Sequence, residues 1–224
     1  HVTKNVLAIL EHMGRADVPV AKGAAGILMG GAFRHKYDFH GHRGLGVHMP
    51  KPIIAPIAAD AVSFLAERLT SGTVSQDGAT LVALGPLTNL ACLLQRHPEA
   101  AQGIGSLVIT GGAIETGNVT PYAESNAYND PEAAAIVYSS GIPITLVPRE
   151  ACAQVTLGAK DLARWRDSKA PAAHLADRIL HKWFQRHSDD RLYDPCDPLA
   201  MAIALQPAIA SYTSGSVTVD TTSD

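Results

Sequence analysis

The chain has 224 residues, 46% of them hydrophobic, and its 18 Lys and Arg against 21 Asp and Glu leave a formal net charge of −3. That length buries a substantial core, and the near-balanced, interspersed charge excludes the basic footprint of a nucleic-acid binder. Cys92, Cys152 and Cys196 are odd in number and widely spaced, giving neither a disulfide framework nor a CxxC metal pair, as suits a reducing cytoplasm; no apolar run reaches the roughly 18–20 residues of a membrane helix, and no signal-peptide pattern opens the chain.

The pattern predicts a helix over Lys4 to Met13, with Val6, Leu7, Leu10 and Met13 on one face and Gly14 closing it. The run VPVAKGA, residues 18–24, reads as a buried parallel strand because it has no polar alternation. A long loop from Ala25 to Pro56 follows, rich in Gly and Pro and carrying His35, His40, His42 and His48. Loops of such length in a compact domain are usually functional or disordered. Residues 57–69 place Ile57, Ala61, Leu65 and Leu69 at helical spacing. A strand is expected from Thr80 to Leu84, then Gly85-Pro86 and a helix to Gln95 capped by Thr88 or Asn89.

The next strand, Ser106 to Ile109, hands over to the stretch TGGAIETGNVTPYAESNAYNDPEAAA, residues 110–135. The glycine pair Gly111 and Gly112 marks the exit into a loop. Asp130 and Pro131 are the N-cap and first position of the following helix. Between them the loop carries Asn118, Glu124 and Asn126, and a polar loop at the carboxyl end of a strand is where α/β sheets bind ligands. Amide, carboxylate, amide is a set suited to holding several hydroxyl groups together. That helix ends by Gly141, and IPITLV, residues 142–147, is a further buried strand. Residues 158–187 are helical by composition, and their His174, His181 and His187 fit an amphipathic surface helix better than a metal site. Asp197-Pro198 opens a short apolar helix with the same capping grammar as Asp130-Pro131, and SVTVD, residues 216–220, reads as a last short strand. Strand and helix alternate from end to end without a linker, so the expectation is one α/β domain, residues 1–224, built on a mostly parallel, Rossmann-like open sheet flanked by helices.

HGHRGLG at 40–46, VALGPLTNL at 82–90, GNVTPYAESN at 117–126 and CDPLAMA at 196–202 occur in one order. In that order they resemble the inosine-uridine preferring nucleoside hydrolase family, over essentially the whole chain. The resemblance implies hydrolysis of the N-glycosidic bond of ribonucleosides with calcium as cofactor, through an oxocarbenium-like transition state. It implies that Asn118, Glu124, Asn126 and Asp197 hold the ribose, that Asp197 and the main-chain carbonyl of Leu84 bind the metal, and that His40 faces the departing base. The residue before the aspartate, commonly a histidine that protonates the leaving base, is Cys196 here. Thr110 stands for a usual methionine, Ser125 for an aromatic residue, and Glu150-Ala151-Cys152-Ala153-Gln154 for the usual DxTHQ.

The family's N-terminal aspartate cluster, DxDxGxDD, has no match between His1 and Asp224. The cluster supplies the general base and most calcium ligands, so the expectation is an internal fragment of a larger hydrolase, truncated at both ends and inactive by itself. The alternative in another class is a catalytically inactive nucleoside- or ribose-binding protein, and a third is a structural role for a degenerate copy. The partners expected are a small ribonucleoside and further copies of the chain, in the cytoplasm, with neither nucleic acid nor membrane.

Overall fold

A computed structural model describes residues 1–34, 41, 44–187 and 191–222. In chain order the elements are α1 (Val2–His12), α2 (Ala61–Thr70), β1 (Ala79–Ala83), α3 (Thr88–Arg96), β2 (Ile104–Thr110), α4 (Ser125–Asn129), α5 (Pro131–Tyr138), β3 (Ile144–Val147), α6 (Arg149–Ala153), α7 (Ala163–Arg166), α8 (Pro171–Arg186) and α9 (Cys196–Leu205). The chain forms two compact units: one of His1–Lys22, Tyr37–Asp60 and Thr156–Asp194, the other of Gly23–Lys36, Ala61–Val155 and Pro195–Asp224. None of the described helices is long and apolar enough to cross a membrane.

The second unit carries the sheet, and among the described residues its three strands run parallel in the order β1-β2-β3. β2 is central, and its side chains alternate between two cores as a period of two requires. Leu107 and Ile109 join Val62, Leu69, Leu93 and Val137 in the core formed with α2, α3 and α5. Val108 joins Val147, Cys152, Ala200 and Ile203 in the core formed with α6 and α9. Burial on both faces explains why β2 reads as a continuous apolar run. The next residue on the Val108 side is Thr110, which places its side chain on the α9 face at the carboxyl end of the sheet.

Asp130 accounts for the start of α5. Its Oδ1 accepts from Ala133 N at 3.2 Å, and Pro131 fills the first helical position. Its Oδ2 accepts from Leu28 N at 2.8 Å and from the Thr88 hydroxyl. Asp130 is 0% exposed, and these donors offset the cost of a buried carboxylate. Thr88 is therefore not a cap, and Asn89 is not one either: its Oδ1 accepts from Ala24 N at 2.8 Å, and Leu87 holds the N-cap position of α3.

The first unit is built on α1, α7 and α8. The helical stretch expected over 158–187 is broken between Arg166 and Pro171; in α8 the buried face is Leu175, Leu180, Trp183 and Phe184 with His174 and His181 exposed, while His187, past the helix end, is half-buried and stacks on Trp183. Trp183, Phe184 and Tyr193 form an edge-to-face aromatic cluster over Leu162.

Four further expectations need correction. α1 buries Leu7 and Ala8, while Val6 is exposed, because the helix begins at Val2 and presents a narrower apolar face than four spaced residues suggest. Residues 18–24 form no strand; an extended run becomes one only by pairing, and among the described residues its pairing is limited to the parallel bridge Lys22 to Asp60 and a bond from Ile57 N to Val20 O. Residues 216–220 likewise lack a ladder, although Val219 packs on the α2–α3–α5 core. α2 starts at Ala61, so residues 57–60 are not helical, and Val62, Ala66 and Leu69 supply its buried face.

Candidate functional site

The glycine pair after β2 does two physical jobs. A Cβ at Gly111 would sit 3.3 Å from Glu124 Oε2 and 3.6 Å from Asn126 Cβ, so its absence lets the returning loop close onto the strand end. Gly112, at φ +72°, turns the backbone so that its N–H donates to Glu124 Oε2 at 3.0 Å.

Glu124 is then the N-cap of α4. Its Oε2 also accepts from Asn126 N at 2.9 Å and Ala127 N at 3.3 Å, while Oε1 has no hydrogen bond to any described residue. Desolvation pushes its carboxyl above the ordinary range, against the pull of those three N–H groups, and the nearby Asp197 charge pushes the same way as desolvation. The Tyr138 hydroxyl is raised to about 12 by burial and by Glu124.

Asn126 Nδ2 donates to Thr110 O at 3.1 Å, which keeps its Oδ1 as a spare acceptor. Asn118 Oδ1 accepts from Ser125 N at 2.9 Å, which keeps its amide N–H groups as spare donors on an exposed residue.

Asp197 is the second residue of α9 and does not cap it; Pro195 holds that position. The 3% exposed Thr110 donates its hydroxyl to Asp197 Oδ1 at 3.3 Å, and Oδ2 has no partner among the described residues. Solvent reaches Asp197, yet protein crowds it from the sheet side, and that partial desolvation raises its carboxyl while the Thr110 bond lowers it. Beside it Cys196 packs against the Val108–Val147–Ala200 core. Leu84 follows the last residue of β1, and the Ala83–Ile109 register sets it level with Thr110. Its side chain is 42% exposed, so it is not the core residue that its apolar type suggests.

The structure thus brings Asn118, Glu124, Asn126 and Asp197 to the carboxyl end of β2, with Leu84 and Cys196 at the same end of the sheet. His40, like His35 and His42, lies outside the described residues. Two residues bonded to this arrangement or to its loop were not predicted as site residues. Thr110 was visible only as a departure from a family pattern, although strand alternation places it. Glu150, in the first turn of α6, accepts from Ile114 N at 3.0 Å, Glu115 N at 2.9 Å and Thr116 N at 3.1 Å. The sequence signal for it is faint: a carboxylate just past the end of a strand.

Calcium asks for about six to eight oxygen ligands. Asp197 and the Leu84 carbonyl offer two sources. No group of three or more His, Cys, Asp or Glu able to hold a metal occurs among the described residues. These residues by themselves do not make a calcium site.

Comparison with known proteins bears on this arrangement. The model of the family "Inosine-uridine preferring nucleoside hydrolase" matches residues 1–224. The pyrimidine-specific ribonucleoside hydrolase RihA of Salmonella paratyphi B is 38% identical over 226 residues, covering 97% of this chain and 70% of the relative. Among solved structures, a plant nucleoside hydrolase superposes with a TM-score of 0.89 at 34% identity, over 97% of this chain and 70% of its own. A purine-preferring ribonucleoside hydrolase from Gardnerella vaginalis gives 0.85 at 30% identity, over 99% and 72%. With a family match over the whole chain and a relative 38% identical over 97% of it, the chain belongs to the inosine-uridine preferring nucleoside hydrolase family.

Proposed function

We propose that the protein hydrolyses the N-glycosidic bond of ribonucleosides, releasing ribose and free base, and that Asn118, Glu124, Asn126 and Asp197 hold the sugar. The reaction class follows from family membership. The assignment of residues rests on one observation: each of these side chains is anchored by a bond of its own and still has complementary atoms to spare. Asn118 offers N–H donors, Asn126 an acceptor, and Glu124 Oε1 and Asp197 Oδ2 are carboxylate oxygens without a described partner. Vicinal hydroxyl groups both donate and accept, so such a mixed set suits a ribose diol. Anchoring fixes the side chains before substrate arrives, which supplies orientation, and contacts that tighten as the sugar becomes oxocarbenium-like raise turnover rather than only affinity.

Cys196, in the position before Asp197, is the proton donor proposed for the leaving base, and His40 the residue proposed to face that base. Calcium is the metal proposed, with Asp197 and the Leu84 carbonyl among its ligands and other oxygens needed to complete the shell. The test is release of free base from uridine and inosine by the native gene product and by Glu124→Gln. Base release by the parent with a strong loss in the variant supports the reading; equal rates remove Glu124 from the sugar site.

A further inference from the structure

We propose that Glu150 is a positioning residue for this reaction: from the first turn of α6 its carboxylate fixes residues 114–116 and, through them, sets the place of Asn118. This rests on the reading that Asn118 holds the sugar.

The geometry is specific. Oε2 accepts from Ile114 N, while Oε1 accepts from both Glu115 N and Thr116 N. Three successive N–H groups turned to one side make a concavity that takes an anion, and here the anion is a side chain of the same protein. Arg149 adds two bonds from the neighbouring position, its N to Gly112 O at 3.2 Å and its Nη1 to Thr116 O at 3.3 Å. Ile114, Glu115 and Thr116 are all exposed, Ile114 at 77%, so apolar packing does not order this segment. The carboxylate does. Charge-assisted bonds of this kind are roughly twice as strong as neutral ones.

Beyond Thr116 the chain is closed on itself by hydrogen bonds. Gly117 N donates to Pro121 O at 2.9 Å, and Asn118 N and Val119 N both donate to Ala123 O. A Cβ at Gly117 would come within 2.3 Å of Ala123 O, so nothing but glycine allows this closure. Asn118 opens that turn. Holding residue 116 therefore fixes the entry to the turn that carries residue 118, whose other side is tied to Ala123 O and Ser125 N; loosening it leaves those bonds alone to place Asn118. Glu150 remains an anion throughout the working range: desolvation opposes it, but the three N–H groups hold its carboxyl down to about 2.

Glu150→Gln keeps the shape while turning an N–H donor toward N–H groups. The experiment measures kcat and KM for uridine with the native gene product, E150Q, Asn118→Ala and the double variant. Displacement of a sugar contact by about 1 Å costs on the order of 10²-fold, so E150Q is expected to lower kcat/KM by about that factor, with more of the loss in kcat than in KM. The double variant should be no worse than the worse single variant, and Glu150→Asp should recover part of the loss. Wild-type kinetics for E150Q, or losses that multiply in the double variant, would overturn the positioning role while leaving the sugar site in place. An Asn118→Ala variant with parent kinetics would instead remove the sugar-holding reading of Asn118 and this inference with it. Should E150Q not fold, amide exchange in the parent decides: slowed exchange at Ile114, Glu115 and Thr116 supports the clamp, and exchange at free-loop rates overturns it.

Discussion

The proposed site makes two demands of Asp197, to hold a sugar hydroxyl and to contribute to a metal site, and its geometry separates both from helix capping. Because Pro195, not Asp197, occupies the N-cap of α9, Asp197→Asn should leave stability nearly unchanged while lowering both calcium affinity and turnover. Calorimetry with calcium checks this, and unchanged binding would confine the residue to the sugar. Glu124→Gln should behave differently. Its carboxylate caps α4, so the variant should lose about 1 kcal/mol of stability as well as most of its discrimination between ribosides and 2′-deoxyribosides, measurable by urea unfolding and base release. Cys196 packs in the α9 core. If it also protonates the base, Cys196→Ala should cost on the order of 10²–10⁴ with a natural base and little with a p-nitrophenyl leaving group; an equal, weak effect on both would reduce it to packing. At this scale the motifs marked Asn118, Glu124, Asn126 and Asp197 as candidates, but not which of their atoms are already committed. Glu150 and Thr110 escaped because their roles exist only once β2, β3 and α9 are side by side.

At the level of elements, one buried carboxylate joins three segments. Asp130→Ala would remove the cap of α5 and leave the Leu28 N–H and Thr88 hydroxyl unpaired. A cap is worth about 1 kcal/mol and each buried orphan about 1–3, so the variant should lose on the order of 3 kcal/mol in denaturant unfolding. A loss below about 1 kcal/mol would show that water replaces Asp130 at both donors. Glu150 gives α6 a pH signature. Its carboxyl is lowered from 4.5 to about 2 in the folded chain, so the stabilisation is fully present above about 4.5 and disappears as pH falls toward 2. The stability gap between the parent and E150Q should therefore narrow from pH 5 to pH 3; a gap independent of pH would mean that the charge contributes nothing. The grammar of Asp130-Pro131 was readable because capping is local. The supposed strand at 18–24 was not, because a strand depends on a neighbour that no local pattern reveals.

For the molecule as a whole, the family is shown by the match over residues 1–224, which spans about 70% of the length of the curated relatives. The parallel sheet was legible from alternating strand and helix signals, and the division into two compact units was not, since no linker composition marks it. Asp197 and the Leu84 carbonyl, the calcium donors proposed among the described residues, fall well short of a calcium shell, so residues 1–224 expressed alone should bind calcium no more tightly than about 10⁻³ M, the weak end of protein sites. Calorimetry giving micromolar affinity would place further donors inside this span. The central claim is that base release depends on a ribose held at the carboxyl end of β2. Its most direct test is the rate of uracil release from uridine and from 2′-deoxyuridine by the native gene product and by Asn118→Ala and Glu124→Gln. The account predicts rapid release from uridine by the parent, a large loss with the deoxy substrate, and a loss in each variant that shrinks when the sugar lacks its 2′-hydroxyl. Equal rates on the two substrates, or variants that match the parent, would contradict it.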